Sequence, residues 1–435
     1  MSILGAMNTA ISGLNAQSDA FGNISENIAN SQTVGYKDIG TNFQDFLTSS
    51  TATNNQPGSV VALPAYQNSV QGTITQVSNP LGLAIAGQGF FAVSEQAGTV
   101  NGQPSFSQQQ YYTRDGNFSM NSQGYLVNDA NEFLQGWPVD STTGIANQTQ
   151  LAPIQVSQSS YNPVATTQMT LSANLPATPA NSAPVASQIQ VYDALGTLHT
   201  VNLTWTQTSP NNWTVAVQAP DATNGTPPGT LGSANVAFGT NGVPPGTIGT
   251  INGATGTVTT SAFATNTPAT LDFTANFGNG NQTIQLGLGS YGSPSGVTQY
   301  AGTQYSVQGI TQNGVAAGSF SSVTVQNDGS VVVNYNNGQS RTIAQVPVIT
   351  FNAPDALQNQ NGQAFTATQA SGTANAQVAN TNGAGNLVSG SVESSNVDTA
   401  TEFNKLIIAQ TAYTAGTKVV TTAQQMVTSV INMVQ

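Results

Sequence analysis

The chain contains no cysteine, which excludes disulfides, thiolate metal sites and a cysteine nucleophile. Charge is almost as scarce. Charged residues are 5% of the 435, where an ordinary soluble domain carries roughly 25%. The basic residues are Lys37, Arg114, Arg341, Lys405 and Lys418, set against 17 acidic ones for a net charge of -12. Five scattered cations cannot neutralise a run of phosphates, which argues against nucleic-acid binding. An anionic membrane surface would repel the chain for the same reason. No run approaches 18 consecutive apolar residues, so no helical membrane span is predicted. The N-terminal stretch has no Lys or Arg before Lys37, and Asn8, Ser12, Gln17 and Asp19 interrupt its apolar residues. It does not read as a secretory signal, so any export is expected to leave this leader uncleaved.

Apolar residues make up 38% of the chain, enough to build cores, and the length suggests about three domains. Solubility must rest on Asn, Gln, Ser, Thr and Gly. From Ile3 to Ile28 the apolar residues Leu4, Met7, Ile11, Leu14, Phe21 and Ile28 fall at helical spacing. They fit a heptad whose weak links are Ser18 and Ser25. Taken alone, they fit an amphipathic helix on a globular core equally well. The other end is sharper. Leu406, Tyr413, Val420, Val427 and Val434 recur at intervals of seven, and Ala409, Gly416, Ala423 and Val430 follow the first four by three. That is an a/d seam with small residues at d, which lets a neighbouring helix approach closely. Ser395 to Asp398 fits a Ser-x-x-Asp capping pattern and marks the expected start. At 1.5 Å per residue the two helices would be roughly 39 and 55 Å long. Seams this narrow need a partner, so the ends are expected to pair and then to pack on copies of themselves.

The middle reads as β. Short alternating runs such as Leu83–Ile85, Gly89–Val93, Ser187–Val191, Val201–Trp205, Trp213–Val217 and Ser330–Tyr335 are separated by Gly, Asn, Asp and Pro. Asp328-Gly329 and Asn337-Gly338 are hairpin turn signals. Residues 218–270 are rich in Gly, Thr, Asn and Pro and read as long loops or short strands at an exposed tip, with disorder as the alternative. The predicted fold is multidomain α+β: terminal helices paired as a coiled-coil stalk, with antiparallel β domains of sandwich or barrel type inserted between them. Its expected divisions are 1–70 with 391–435 (helical), 71–152 with 306–390 (β-rich), and 153–305 (a β-rich outer insertion).

Chemical motifs are sparse. His199 is the single histidine; no Gly-x-Ser-x-Gly elbow accompanies it, zinc finds no ligand set, and the residue reads as part of a strand surface. Asp115, Asp129, Glu132 and Asp140 are close enough in sequence to suggest a glycosidase pair, but their Gly and Asn neighbours point to turns. Asn128–Glu132 lacks the spacing of a calcium loop. Gly87-Gln88-Gly89 has no following helix and no Lys follows a Gly, which removes nucleotide-binding loops. No catalytic, cofactor-binding or metal residue is assigned, and no cofactor. The C-terminal helix carries only Glu402, Lys405 and Lys418 between Thr399 and Gln435. A helix without outer charges can be covered on several sides without desolvating them.

Four segments resemble a known family. Ala29-Asn30-Ser31-Gln32-Thr33-Val34-Gly35-Tyr36-Lys37 is similar to the Ala-Asn-x-x-Thr-x-Gly-aromatic-Lys signature of flagellar rod and hook axial proteins. Gly87–Val93 and Tyr112–Phe118 are similar to two further motifs, and Ser395-Asn396-Val397-Asp398 before the heptads resembles the C-terminal signature. The long middle insertion, with Val191–Gly196 leading to His199 and Trp205, resembles hook rather than rod members, and Gly338–Phe351 resembles their return strands.

The resemblance implies an extracellular hook subunit that forms a flexible tube, a universal joint passing torque from rod to filament. It further implies export through the flagellar type III apparatus, and rod, hook cap and hook–filament junction proteins as partners. Terminal helices would line the tube, with β domains outside. A distal rod subunit, a secreted carbohydrate-active protein and an adhesin are the competing readings.

Overall fold

The computed structural model describes residues 3–51, 54–179 and 183–434. The chain divides into two compact units. The first comprises Met1–Gln158, Ser321–Asn334 and Ser340–Gln435; the second comprises Ser159–Phe320 and Tyr335–Gln339.

The first unit carries both helices, α1 (Ile3–Ala29) and α2 (Thr399–Val434). Asp398 starts α2: its Oδ1 accepts the Ala400 N–H at 3.0 Å and its Oδ2 the Thr401 hydroxyl at 2.9 Å. Ser395 does not cap the helix; its Oγ accepts the Val397 N–H at 3.3 Å, in the turn before it. The capping pattern thus marks the right place with its second member as the cap. After α1, strands β1 (Ile39–Thr51) and β2 (Asn54–Tyr66) form a long antiparallel hairpin. Neither the hairpin nor its length is legible in the residue pattern, because its strands alternate weakly.

The remainder of this unit is a β body. Its main sheet runs in the order Phe320–Val325, Ser330–Tyr335, Ser340–Gln345, Phe133–Pro138, Phe91–Ser94, Tyr111–Thr113, Ala364–Thr366 and Gln358–Asn359. Phe90, Tyr112, Ile349, Leu357 and Phe365 form one buried cluster within it. Strand Ser330–Tyr335 falls where the sequence placed it.

The second unit is built on two sheets. One is antiparallel throughout, in the order Val185–Tyr192, Leu198–Ser209, Asn212–Gln218, Thr230–Phe238, Ile248–Asn252. The other centres on Gln168–Asn174, which pairs parallel with Asn281–Ser290 and Val297–Thr298 and antiparallel with Ser306–Gln312. Period-two alternation sends Val201, Leu203 and Trp205 into a shared core with Trp213, Val215 and Val217, and with Leu271, Phe273, Ile284 and Leu286 of the other sheet. Residues 218–270, read above as loops or short strands, contain three strands and contribute Leu231, Val236, Phe238, Ile248 and Val258 to this core. Single buried apolar residues set among Gly and Thr sufficed there, with no long apolar run for a pattern search to find.

Candidate assembly surface

The helices α1 and α2 lie against each other. Phe21 and Tyr413 meet edge to face with ring centroids 6.3 Å apart. Gly416 sits so close to α1 that a Cβ there would lie 2.9 Å from Leu14 Cδ2. On α2 the residues buried along this contact are Glu402, Ala409 and Ala423, spaced by multiples of seven with Gly416 between them. On α1 the buried stripe is Ala16, Ala20, Ile24 and Asn27.

The expected α1 seam sits differently. Met7, Leu14, Phe21 and Ile28 are half-buried, and Ile11 is 41% exposed. On α2, Leu406, Val420 and Val427 are half-buried and Tyr413 is 40% exposed. The side chains of Leu4 and Val434 lie outside the described residues. The offset on α1 has a physical cause: the helix has two neighbours. Besides α2 it carries the β1–β2 hairpin, fastened by Val60 N–H to Ser12 Oγ (3.1 Å), Thr9 Oγ1 to Gly58 O (3.0 Å) and Asn23 Nδ2 to Thr41 Oγ1 (2.8 Å). A cleft of about 430 Å³ remains between them, lined by Ala20, Ile24, Ile39, Phe43, Lys405 and Ile408, among others.

The outer surface of α2 mixes large apolar side chains with polar ones, and Lys418 is its exposed cation. Phe403, Ile407, Ile408, Val419, Met426 and Ile431 are each at least half exposed. Thr411, Thr414, Thr421, Thr422, Thr428 and Ser429 donate their hydroxyls to the carbonyl four residues back, at 2.8–3.0 Å. Their donors are satisfied within the helix, so the threonines present methyls and hydroxyl lone pairs to a partner but no unsatisfied donor.

Between helices and β body lies a knot of buried charge. Glu393 receives Lys37 Nζ on Oε1 at 2.6 Å and Arg114 Nη1 on Oε2 at 2.7 Å, and all three side chains are 1% exposed. The cations find further acceptors: Lys37 donates to Val70 O (2.6 Å), and Arg114 to Ile85 O (3.2 Å) and Gly87 O (2.8 Å). Arg114 also lies over the Phe90 ring, 5.2 Å from its centroid. Burial lowers the Lys37 pKa, with the nearby Glu393 carboxylate opposing it.

The signature residues gather around this knot. Gly35 adopts φ +72°, and a Cβ there would stand 2.4 Å from the Asp115 backbone nitrogen, so glycine alone fits. Ala29 is the last residue of α1, exposed to solvent. Asn30 Oδ1 accepts the Thr33 hydroxyl at 3.1 Å. Asn396 Oδ1 accepts the Asp38 N–H at 2.7 Å, and its Nδ2 reaches Gln67 O and Val70 O. Val397 is half-buried beside the cap residue Asp398.

Asn27 joins the two ends. Its Oδ1 accepts Tyr36 OH (3.1 Å) and Ile39 N–H (3.0 Å), and its Nδ2 faces Asp38 Oδ1, Ile39 O and Glu402 Oε2. Burial, with Glu26, Asp38 and Glu402 adding, raises the Tyr36 pKa well above the usual phenol range. Burial also raises Asp38, against the pull of Lys405. Lys405 itself is raised: burial lowers it, but the Glu402 hydrogen bond and Asp38 outweigh that.

Asn27, Glu393 and Glu402 were not singled out from the sequence. The available signal was scarcity. In a chain with five basic residues, any cation within a motif has a buried acid as its natural partner.

Four family models match along the chain. Flagella basal body rod protein covers residues 7–37, flagellar hook protein FlgE/F/G D1 domain covers 84–174, flagellar basal body protein FlaE D2 domain covers 157–315, and flagellar basal body rod FlgEFG protein C-terminal covers 388–433. The flagellar hook protein FlgE of Brucella abortus biovar 1 (strain 9-941) is 31% identical over 439 residues, covering 100% of both chains. That of Salmonella typhimurium (strain LT2) is 29% identical over 438 residues, covering 98% of each. A crystal structure of Helicobacter pylori flagellar hook protein FlgE2 superposes with a TM-score of 0.48 at 13% identity, covering 72% of this chain and 98% of that one. With Lys37 of the first signature ion-paired to Glu393, two residues before the C-terminal signature, and full-length similarity across the chain, this protein belongs to the flagellar hook protein FlgE family and is a structural subunit of the hook.

Proposed function

We propose that the chain polymerises into a flexible extracellular tube through its terminal helices, and that this tube is the universal joint passing torque from rod to filament. The carrying observation is the surface of α2: a 36-residue helix with one face on α1 and the rest carrying exposed apolar side chains among uncharged polar ones, with Lys405 and Lys418 as its cations. Such a surface is stable in water only when covered, and copies of the same helix are the covering of matching chemistry. In this reading α1 and α2 form a coiled-coil stalk, with Met7, Leu14, Phe21 and Ile28 meeting Leu406, Tyr413, Val420 and Val427 at its seam. Residues 1–70 with 391–435 form the inner layer, 71–152 with 306–390 the middle layer and 153–305 the outer one.

Rod proteins, the hook cap, the junction proteins and the type III export apparatus are the proposed partners. Bending is accommodated by exchange of Gln, Asn and Thr contacts between outer domains, since each hydrogen bond nets only about 1 kcal/mol. Contacts that repeat head to tail without closing into a ring generate a helical polymer. Electron microscopy tests the reading. Concentrated full-length protein is expected to form curved tubes, and protein lacking residues 397–435 to form none; normal tubes from the truncated chain would refute it.

A further inference from the structure

The second unit contains no lysine and no arginine; its ionisable acids are Asp193, Asp221 and Asp272, and its one imidazole is His199. Two of those three acids face that imidazole. Oδ2 of Asp221 lies 3.4 Å from Nδ1, and Oδ2 of Asp193 lies 3.5 Å from Nε2. The ring stacks on Phe277 at 4.0 Å with an interplanar angle of 13°, and the side chain is only 11% exposed. Nε2 is buried without a hydrogen bond.

A neutral imidazole donates from one nitrogen and presents a lone pair at the other. Between two carboxylates, either tautomer therefore points a lone pair at an anion. Only the imidazolium presents N–H to both. Asp193 is anionic in this setting: burial opposes its charge, but the Thr197 N–H, Asn279, His199 and the Leu195 N–H outweigh burial and hold it below the usual carboxylate range.

The groups around the ring come from five places. Asp193 is in the turn between strands Val185–Tyr192 and Leu198–Ser209, and Asp221 is in the segment between Asn212–Gln218 and Thr230–Phe238. Phe277 and Asn279, neither ionisable, are in the turn between Pro268–Asn276 and Asn281–Ser290, and Asn279 Nδ2 donates to Asp193 Oδ2 at 2.7 Å. On the strand bearing His199, Leu198 and Thr200 carry no charge. Across the pair, His199 sits opposite Val191.

We infer that His199 is a proton-operated clasp: when protonated it ties the Asp221 segment and the Asp193 turn together over Phe277, and when neutral it lets go of Asp221 and leaves the segment to its remaining hydrogen bonds, Thr223 N–H to Asn276 O and Asn224 Nδ2 to Thr274 O among them. The sign follows from the geometry. The folded unit with the clasp closed holds a proton that the open form does not need, so closure strengthens as pH falls through the imidazole range.

Amide hydrogen exchange on dilute full-length protein, corrected for intrinsic exchange and compared between about pH 5.5 and about pH 8.5, reads the clasp. Protection of residues 221–230 is expected to be roughly three- to tenfold greater at the acid end. His199→Gln and Asp221→Asn are each expected to abolish that difference; the Asp221 side chain is 58% exposed, so its substitution leaves the core intact. Imidazole ¹⁵N spectra of the wild type at about pH 5.5 should show both ring nitrogens protonated. A neutral ring there, or a pH effect that survives in Asp221→Asn, would overturn the inference.

Discussion

Asn27 and Glu402 are 375 positions apart in sequence, and the Asn27 amide donates to the Glu402 carboxylate at 3.1 Å inside the first unit. One is near the end of α1 and the other in the first turn of α2. The same carboxylate receives Lys405 through its other oxygen at 2.5 Å. Asn27 thus fixes the axial register of one helix against the other at the end where both enter the β body.

Asn27→Ala removes partners from Tyr36, Ile39, Asp38 and Glu402 at once. A buried polar group left without a partner costs about 1–3 kcal/mol, and two carboxylates are affected. The first unit should lose about 2–4 kcal/mol of stability. A urea titration reading Trp137, which is buried in that unit, should show a lower midpoint at unchanged slope; an unchanged midpoint would mean the hub is energetically idle.

Glu393 holds two buried cations, so Glu393→Ala strands both Lys37 and Arg114. Breaking a buried ion pair from one side costs about 3–5 kcal/mol, a large share of the roughly 5–15 kcal/mol that holds a domain folded, so the first unit should unfold at lower urea than the second. Trp205 and Trp213 are in the core of the other unit. Their near-ultraviolet circular dichroism should persist while the Trp137 signal and the helical signal fall. Loss of all three together would show that the two units do not unfold independently.

At Gly416 two effects compete. Alanine gains about 1 kcal/mol of helix propensity over glycine, and the atom it would meet, Leu14 Cδ2 at 2.9 Å, is the mobile tip of a side chain. Gly416→Ala should therefore change monomer stability by less than about 1 kcal/mol in either direction. Gly416→Leu cannot be accommodated that way and forces α1 and α2 apart. Circular dichroism of the monomer and electron microscopy of concentrated protein should show retained helix but no tubes. Tubes of normal appearance from Gly416→Leu would argue against close helix pairing in the polymer.

The ends of this protein were legible because heptad repetition at Leu406, Tyr413, Val420 and Val427, and small residues at Ala409 and Ala423, leave a periodic trace. The β middle was legible wherever alternation was clean, as at Val201 to Trp205. Residues 218–270 were less so, because a sandwich core can be completed by isolated residues such as Leu231 and Phe238 among glycines and threonines. The β1–β2 hairpin escaped because its apolar residues, Phe43, Phe46, Val61 and Leu63, are exposed and follow no single face. Glu393 and Asn27 escaped for another reason: long-range partnership has no local spacing. The Glu393 partners Lys37 and Arg114 were visible only as members of motifs whose physical purpose the sequence did not state.

Buried carboxylates without cations give the first unit a pH dependence of defined sign. Glu132 is 2% exposed; Asn128 Nδ2 donates to its Oε2 at 2.7 Å, but its Oε1 has no partner. Burial pushes its pKa up to about 7, Asn128 opposes this, and Asp115 and Glu95 add to it. Burial likewise pushes Asp115 up to about 6. For an acid raised in the folded state, the fold holds its proton over a range where the unfolded chain has lost it. Stability therefore falls as pH rises from about 4.5 to about 7 for Glu132, and is flat above that. Across that window one bound proton separates the folded from the unfolded chain, which costs about 1.4 kcal/mol for every tenfold fall in proton concentration, so the loss reaches about 3 kcal/mol. Glu132→Gln keeps an oxygen for Asn128 and places an uncharged amide where Oε1 was. It should leave stability nearly unchanged at about pH 4 and raise it by up to about 3 kcal/mol at about pH 8. Urea midpoints at the two pH values check this directly, and a variant that tracks the wild type across the range would show that Glu132 does not carry the buried proton.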